Sequence, residues 1–169
     1  MMIRRVRLVL LVVTLVVLQT TVFTHLRIFG AIPDLCLVAT VAIAFEEGPE
    51  RAALFGFLSG LFLDLFLSSP LGLSALSQAV VGYGVGTFQG AMLRESRAMP
   101  AFLSAAAGLV GGAIFALVGA VAGEAGYLTG TSLRVILIAA IYDGVVALPV
   151  FAFARWANHD TDLGYSRRH

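Results

Sequence analysis

The sequence predicts an all-α polytopic membrane protein, a bundle of six transmembrane helices. Three observations carry that expectation. Of 169 residues, 59% are hydrophobic and 12% are charged, and the mean hydropathy is +0.95; a soluble domain is roughly half apolar and about a quarter charged. The apolar stretches, such as Leu8 to Leu18 and Ala101 to Val118, are nearly continuous and lack the alternation of a transmembrane β-barrel strand. Six spans of about 20 residues use about 120 positions, which leaves short connections and no room for a soluble domain. Disorder is excluded by the same apolar content.

The elements follow in order. Met1 to Arg7 is short and basic and the chain is then uncharged to Leu26, which resembles a signal peptide. The apolar run is long, however, and Gln19-Thr20-Thr21-Val22-Phe23-Thr24 holds no small-x-small cleavage site. The expectation is a retained first helix over about residues 6–25. Pro33 suits a first helical turn, and Leu35 to Phe45 is apolar but short, which fits a re-entrant or tilted short span. Glu46-Glu47-Gly48-Pro49-Glu50-Arg51 reads as a polar turn. Ala52 to Leu67 is the third helix, broken by Ser68-Ser69-Pro70-Leu71-Gly72. Ser74 to Leu93 is the fourth helix, Arg94 to Pro100 a charged turn, Ala101 to Ala122 the fifth helix, Gly123 to Gly130 a loop, and Thr131 to Trp156 the sixth helix. Residues 1–156 thus form one domain and 157–169 a short cytoplasmic tail.

Charge sets the orientation. The chain has arginine and no lysine, and its net charge is +1, so no bulk field points to nucleic acid. With the N-terminus in the cytoplasm, the inner side collects Arg4, Arg5, Arg7, Arg51, Arg94, Arg97, Arg155, Arg167 and Arg168. The outer side receives Arg27 and Arg134. That bias obeys the positive-inside rule, and two basic ends require an even number of crossings. The short second segment therefore counts as a span.

Small residues recur four apart: Gly56 with Gly60, Gly82 with Gly86 and Gly90, Gly108 with Gly112, and Gly119 with Gly123. Each set lines one side of a helix and lets backbones approach closely. Packing within the bundle is the favoured reading, and a partner-facing groove on the fourth and fifth helices, at Gly86 or Gly112, the alternative.

Acids inside apolar segments are sharper signals, because a charge at the bilayer centre costs about 2.5 kcal/mol or more. Asp34 follows Pro33 and can cap the second helix. Asp64 follows Gly56 and Gly60 at helical spacing; an interfacial bond to Ser68 or Ser69 and a buried structural role stand level. Asp143 lies mid-way along the sixth helix and reads as an intramembrane polar anchor, toward Gln78 or Arg134 of a neighbour. No stacked ladder of acids points to a proton relay.

Catalytic and cofactor signals are weak. Cys36 is the one cysteine, so neither an internal disulfide nor a cysteine metal cluster forms. His25, His159 and His169 are scattered, and Ser74, Ser77 and Ser104 have no suitable histidine. No glycine-rich loop with lysine is present to hold a nucleotide. The expectation is no enzyme, no metal and no cofactor. Few polar groups converge from several helices, so a small-molecule ligand is not expected.

From Pro33 to Gly86 the chain resembles the bacterial rod shape-determining protein family MreD. The resemblance rests on Pro33-Asp34, Gly56-Phe57-Leu58-Ser59-Gly60 with Asp64 beyond it, Ser69-Pro70-Leu71-Gly72-Leu73, and Val81-Gly82-Tyr83. Ser68 stands where many relatives have glycine, and from about Ala101 the match is in hydropathy alone. The resemblance implies a non-catalytic subunit of the inner-membrane cell-elongation machinery. It implies membrane lipid and the single-span protein MreC as partners and, through MreC, the filament protein MreB and the RodA glycosyltransferase with its transpeptidase. It also implies a fold similar to the substrate-binding subunits of energy-coupling-factor vitamin transporters, so a small-molecule binding subunit is the second reading. On the scaffold reading, Asp64 and the loop Ser69 to Gly72 form a knot between the third and fourth helices. With Asp34 nearby, that knot shapes a surface for MreC.

Overall fold

The computed structural model describes residues 12–23, 31–66, 71–88, 99–123 and 129–162, with side chains as far as Phe151. Within them the chain forms six helical elements. In α1, residues 12–18 are α-helical and Gln19–Phe23 continue as a wider π turn. Thr20 Oγ donates back to the Val16 carbonyl at 2.8 Å, and Thr21 Oγ does so to Val17, the back-bonding that serves a hydroxyl in an apolar helix. The other elements are α2 (Leu35–Glu47), α3 (Pro49–Asp64), α4 (Leu73–Phe88), α5 (Met99–Val121) and α6 (Gly130–Asp162).

The short second segment is the centre of the bundle. α2 has 13 residues, about 20 Å of helix against a hydrocarbon thickness of roughly 30 Å. Leu35 to Ala42 are all buried, and α2 meets α3, α4, α5 and α6. A helix apolar on every side is stable only where every side is covered. Its shortness is therefore that of a core helix.

One residue, Gly48, turns α2 into α3. Its φ of 87° lies in the left-handed region that glycine enters without a steric penalty. Its N–H closes α2 on the Ala44 carbonyl at 3.2 Å. Pro49 then starts α3, where a missing N–H costs nothing. The expected polar turn is thus shared between two helix ends, and Arg51 reaches back to Glu47 at 3.2 Å across them.

Glycines bring α3 and α4 together. A Cβ on Gly56 would stand 2.6 Å from the Gln78 carbonyl oxygen, and one on Gly60 2.6 Å from the Ala75 Cα. Gly82 faces Thr40 and Ala52, and Gly86 faces Pro49. On the other side, α5 meets α6 through Gly108 at Ala140, Gly112 at Ile136, and Gly144 at the Ala101 carbonyl. Apolar side chains fill the rest. Leu37, Val38 and Val41 of α2 pack with Val81, Leu103, Ala147 and Phe151, and the Phe151 ring meets Phe45 edge-on at 5.7 Å. Val12 and Val16 of α1 pack with Cys36, Ala39, Phe55 and Leu63.

The outer faces of α5 and α6 are apolar and open. Phe102, Leu117, Val121, Leu133, Ile141 and Val145 are each more than half exposed. Met99–Val121 and Gly130–Phe151 have mean hydropathies of 2.2 and 2.0 over their best windows and are long enough to cross a membrane. Contiguous apolar surface of this kind belongs against hydrocarbon. α6 carries Pro149 internally and runs on to Asp162, so the helix extends past the expected end at Trp156 into the tail.

Candidate functional site

Backbone amides at the start of α2 need acceptors, since the first turn of a helix has none of its own. Asp34 supplies one as N-cap: its Oδ1 accepts from the Leu37 N–H at 3.0 Å. Gln19 of α1 supplies another, its Oε1 accepting from the Cys36 N–H at 3.2 Å while its Nε2 donates to Asp34 Oδ1 at 3.3 Å. From α4, Gln78 Nε2 donates to Asp34 Oδ2 at 3.0 Å. Gln78 Oε1 in turn accepts from Ser59 Oγ of α3 at 3.0 Å. Finally, the Asp34 N–H donates to Asp143 Oδ1 of α6 at 2.6 Å. Side chains from α1, α3, α4 and α6 thus converge on the cap of α2. Gln78, Ser59 and Asp143 are essentially buried, where each polar atom requires a partner.

Asp64 forms a second centre at the other helix pair. Its Oδ2 accepts from the N–H groups of Gly72 at 2.8 Å, Ser74 at 3.2 Å and Ala75 at 3.4 Å. This is an N-cap delivered from the preceding helix: an anion placed on the positive end of α4. Gly72 has φ of 97°, which its lack of a Cβ permits. Asp64 is 1% exposed, and its partners in the described residues are backbone amides; Ser68 and Ser69, the other partners considered for it, lie outside the described residues.

The other expected residues fall into place unevenly. Asp143 is met by the Asp34 N–H, and Gln78 reaches Asp34 in its stead. Gly86 and Gly112 are turned inward, filled by Pro49 and Ile136, so at these positions the glycine faces pack within the chain. Ser69 and Pro70 lie outside the described residues. Gln19 and Ser59 were missed by sequence reasoning. For Gln19 a signal existed, since an amide in an apolar span needs a partner just as an acid does.

A cavity of about 290 Å³ adjoins the network. Gln19, Asp34, Ser74, Ser77 and Asp143 line it, with Gly108 to Gly112 and Phe115 on the α5 wall. These polar groups come from α1, α2, α4 and α6, far apart in the chain. Among the described residues, no group of three His, Cys, Asp or Glu could hold a metal ion.

A family model described as rod shape-determining protein MreD matches residues 2–156. The chain belongs to the MreD family. The match takes in α1 to α5 and α6 as far as residue 156, including the later half of the chain, where the motifs alone were silent. No curated protein and no solved structure matches. MreD proteins are membrane proteins of rod-shape determination, and the exposed apolar faces of α5 and α6 suit that setting.

Proposed function

We propose that the chain is a non-catalytic inner-membrane subunit of the bacterial cell-elongation complex that holds MreC and, through it, MreB, RodA and the transpeptidase. The observation that carries this reading is the family match over residues 2–156. The same proposal includes six crossings with both ends in the cytoplasm, supported by the arginine distribution. It also includes the likeness in fold to the energy-coupling-factor binding subunits that the resemblance to MreD implies.

In this arrangement Asp34, Asp64 and Gly72 stand at the outer ends of α2, α3 and α4. Asp64 has its oxygens occupied by α4 amides, so it acts on a partner by shaping the loop before α4. Leu71 of that loop is 68% exposed and available for contact with the membrane helix of MreC or the segment beside it.

Co-purification from detergent-solubilised membranes tests the reading. The tagged chain is expected to bring down MreC, its depletion to round the cells, and Asp64→Ala to reduce MreC recovery. Recovery without MreC, from cells that stay rod-shaped on depletion, would sink the proposal. Normal recovery with Asp64→Ala would remove the loop from the interface and leave the scaffold role standing.

A further inference from the structure

The polar network leaves one carboxylate oxygen unused at the cavity. Asp143 is 2% exposed; its Oδ1 accepts from the Asp34 N–H, while among the described residues no hydrogen bond reaches its Oδ2. Both oxygens of Asp34, by contrast, are committed to Gln19, Leu37 and Gln78. Asp143 lines the cavity, and Oδ2 lies against Gly108, where the Cβ of an alanine would stand 2.5 Å from it. The missing side chain at Gly108 is what gives the carboxylate its room.

The cavity has the composition of a ligand site. Apolar side chains such as Leu37, Leu63, Phe115, Val135 and Ile136 form most of its wall, with a few polar groups set among them. Its size, about 290 Å³, is near the lower limit of roughly 300 Å³ for small-molecule pockets. Mostly apolar walls hold water poorly. Two carboxylates and, among the described residues, no basic side chain line it. A carboxylate oxygen in such surroundings calls for a charged donor.

We propose that this cavity binds a compact organic ammonium group, with the nitrogen at Asp143 Oδ2 and the apolar body against Phe115 and Ile136. An ammonium has three donors and no acceptor, which suits a free carboxylate oxygen in a cavity that Ser74 and Ser77 also line. Its charge offsets the acids, and its carbon body replaces water along the apolar wall. The ammonium can come from a free amine or from an aminolipid headgroup, and the chemistry of capture is the same.

The probe is benzylammonium, set against benzyl alcohol, which has the same ring and no charge. Both are titrated into the full chain in uncharged maltoside micelles, with calorimetry and thermal unfolding as readouts. Benzylammonium is expected to bind saturably and raise the Tm, at least tenfold more tightly than the alcohol. Asp143→Asn, which retains an acceptor for the Asp34 N–H, is expected to abolish that preference. Gly108→Ala, which displaces Oδ2, is expected to weaken it tenfold or more. If added phosphatidylethanolamine competes, the natural ammonium is a lipid's; if it does not, a free amine's. Non-saturable uptake, equal binding of amine and alcohol, or a preference that survives Asp143→Asn would overturn the proposal. The comparison on the unaltered chain stands even if a variant fails to fold.

Discussion

Asp143 Oδ1 lies 2.6 Å from the backbone nitrogen of Asp34, across 109 positions of sequence. That single contact ties α6 to the entrance of the central helix. Asp34 in turn receives Gln19 and Gln78, so the cap of α2 is the point where most of the bundle is held in register. Polar contacts of this kind supply directional specificity where apolar side chains and lipid tails offer no contrast.

Removing Asp143 exposes that dependence. Asp143→Ala leaves the half-buried Asp34 N–H without an acceptor, at a cost of about 1–3 kcal/mol. Asp143→Asn keeps an amide oxygen in place and is expected to lose less. Thermal unfolding in one detergent, comparing the two variants, measures the difference; equal losses would show that the acceptor is not what counts.

Asp64 is expected to act through α4. Asp64→Ala removes the acceptor of the Gly72, Ser74 and Ala75 amides, and loss of an N-cap side chain costs about 0.5–2 kcal/mol. Asp64→Asn should fall between the alanine variant and the parent, because it retains a cap but not the charge. Hydrogen exchange at Ser74 and Ala75 is expected to quicken with alanine, while exchange at the centre of α2 stays slower. Unchanged exchange at both amides would contradict the cap.

Glycines of the paired helices α3 and α4 should differ in tolerance. A Cβ at Gly60 would lie 2.6 Å from Ala75 backbone atoms, whereas one at Gly84 meets nothing within 4 Å. Gly60→Ala is therefore expected to force α3 from α4 and cost about 1–3 kcal/mol, as overpacking does. Gly84→Ala should be neutral or mildly stabilising, since alanine favours the helix by about 1 kcal/mol. Monodispersity and Tm of the two purified variants check the contrast.

Much of the local structure was legible. Asp34 after Pro33 announced a helix cap, Gly72 a turn, and Gly56 with Gly60 a close approach, because each depends on neighbours in the chain or on the absence of a side chain. The role of α2 was not legible. Residues 35–45 are apolar on all sides, and apolarity does not distinguish a face against lipid from a face against leucine. Asp143 was recognisable as a buried acid that needed a partner, yet its partner is a backbone N–H, which every residue but proline possesses. Gln19 stands at the polar end of an apolar run, and only α2 set beside it gives its amide the Cys36 N–H and Asp34 as partners.

The sequence by itself determined that this is a helical membrane chain of the MreD family, where its helices cap and turn, and which glycines permit contact. Those properties follow from composition, local backbone preference and motif order. Only the tertiary structure decided that α2 is the core, that Gln19, Gln78 and Asp143 meet at Asp34, and that a cavity lies beside them. Each of these is a juxtaposition of segments far apart in the chain, fixed by packing and by the need to satisfy buried polar groups.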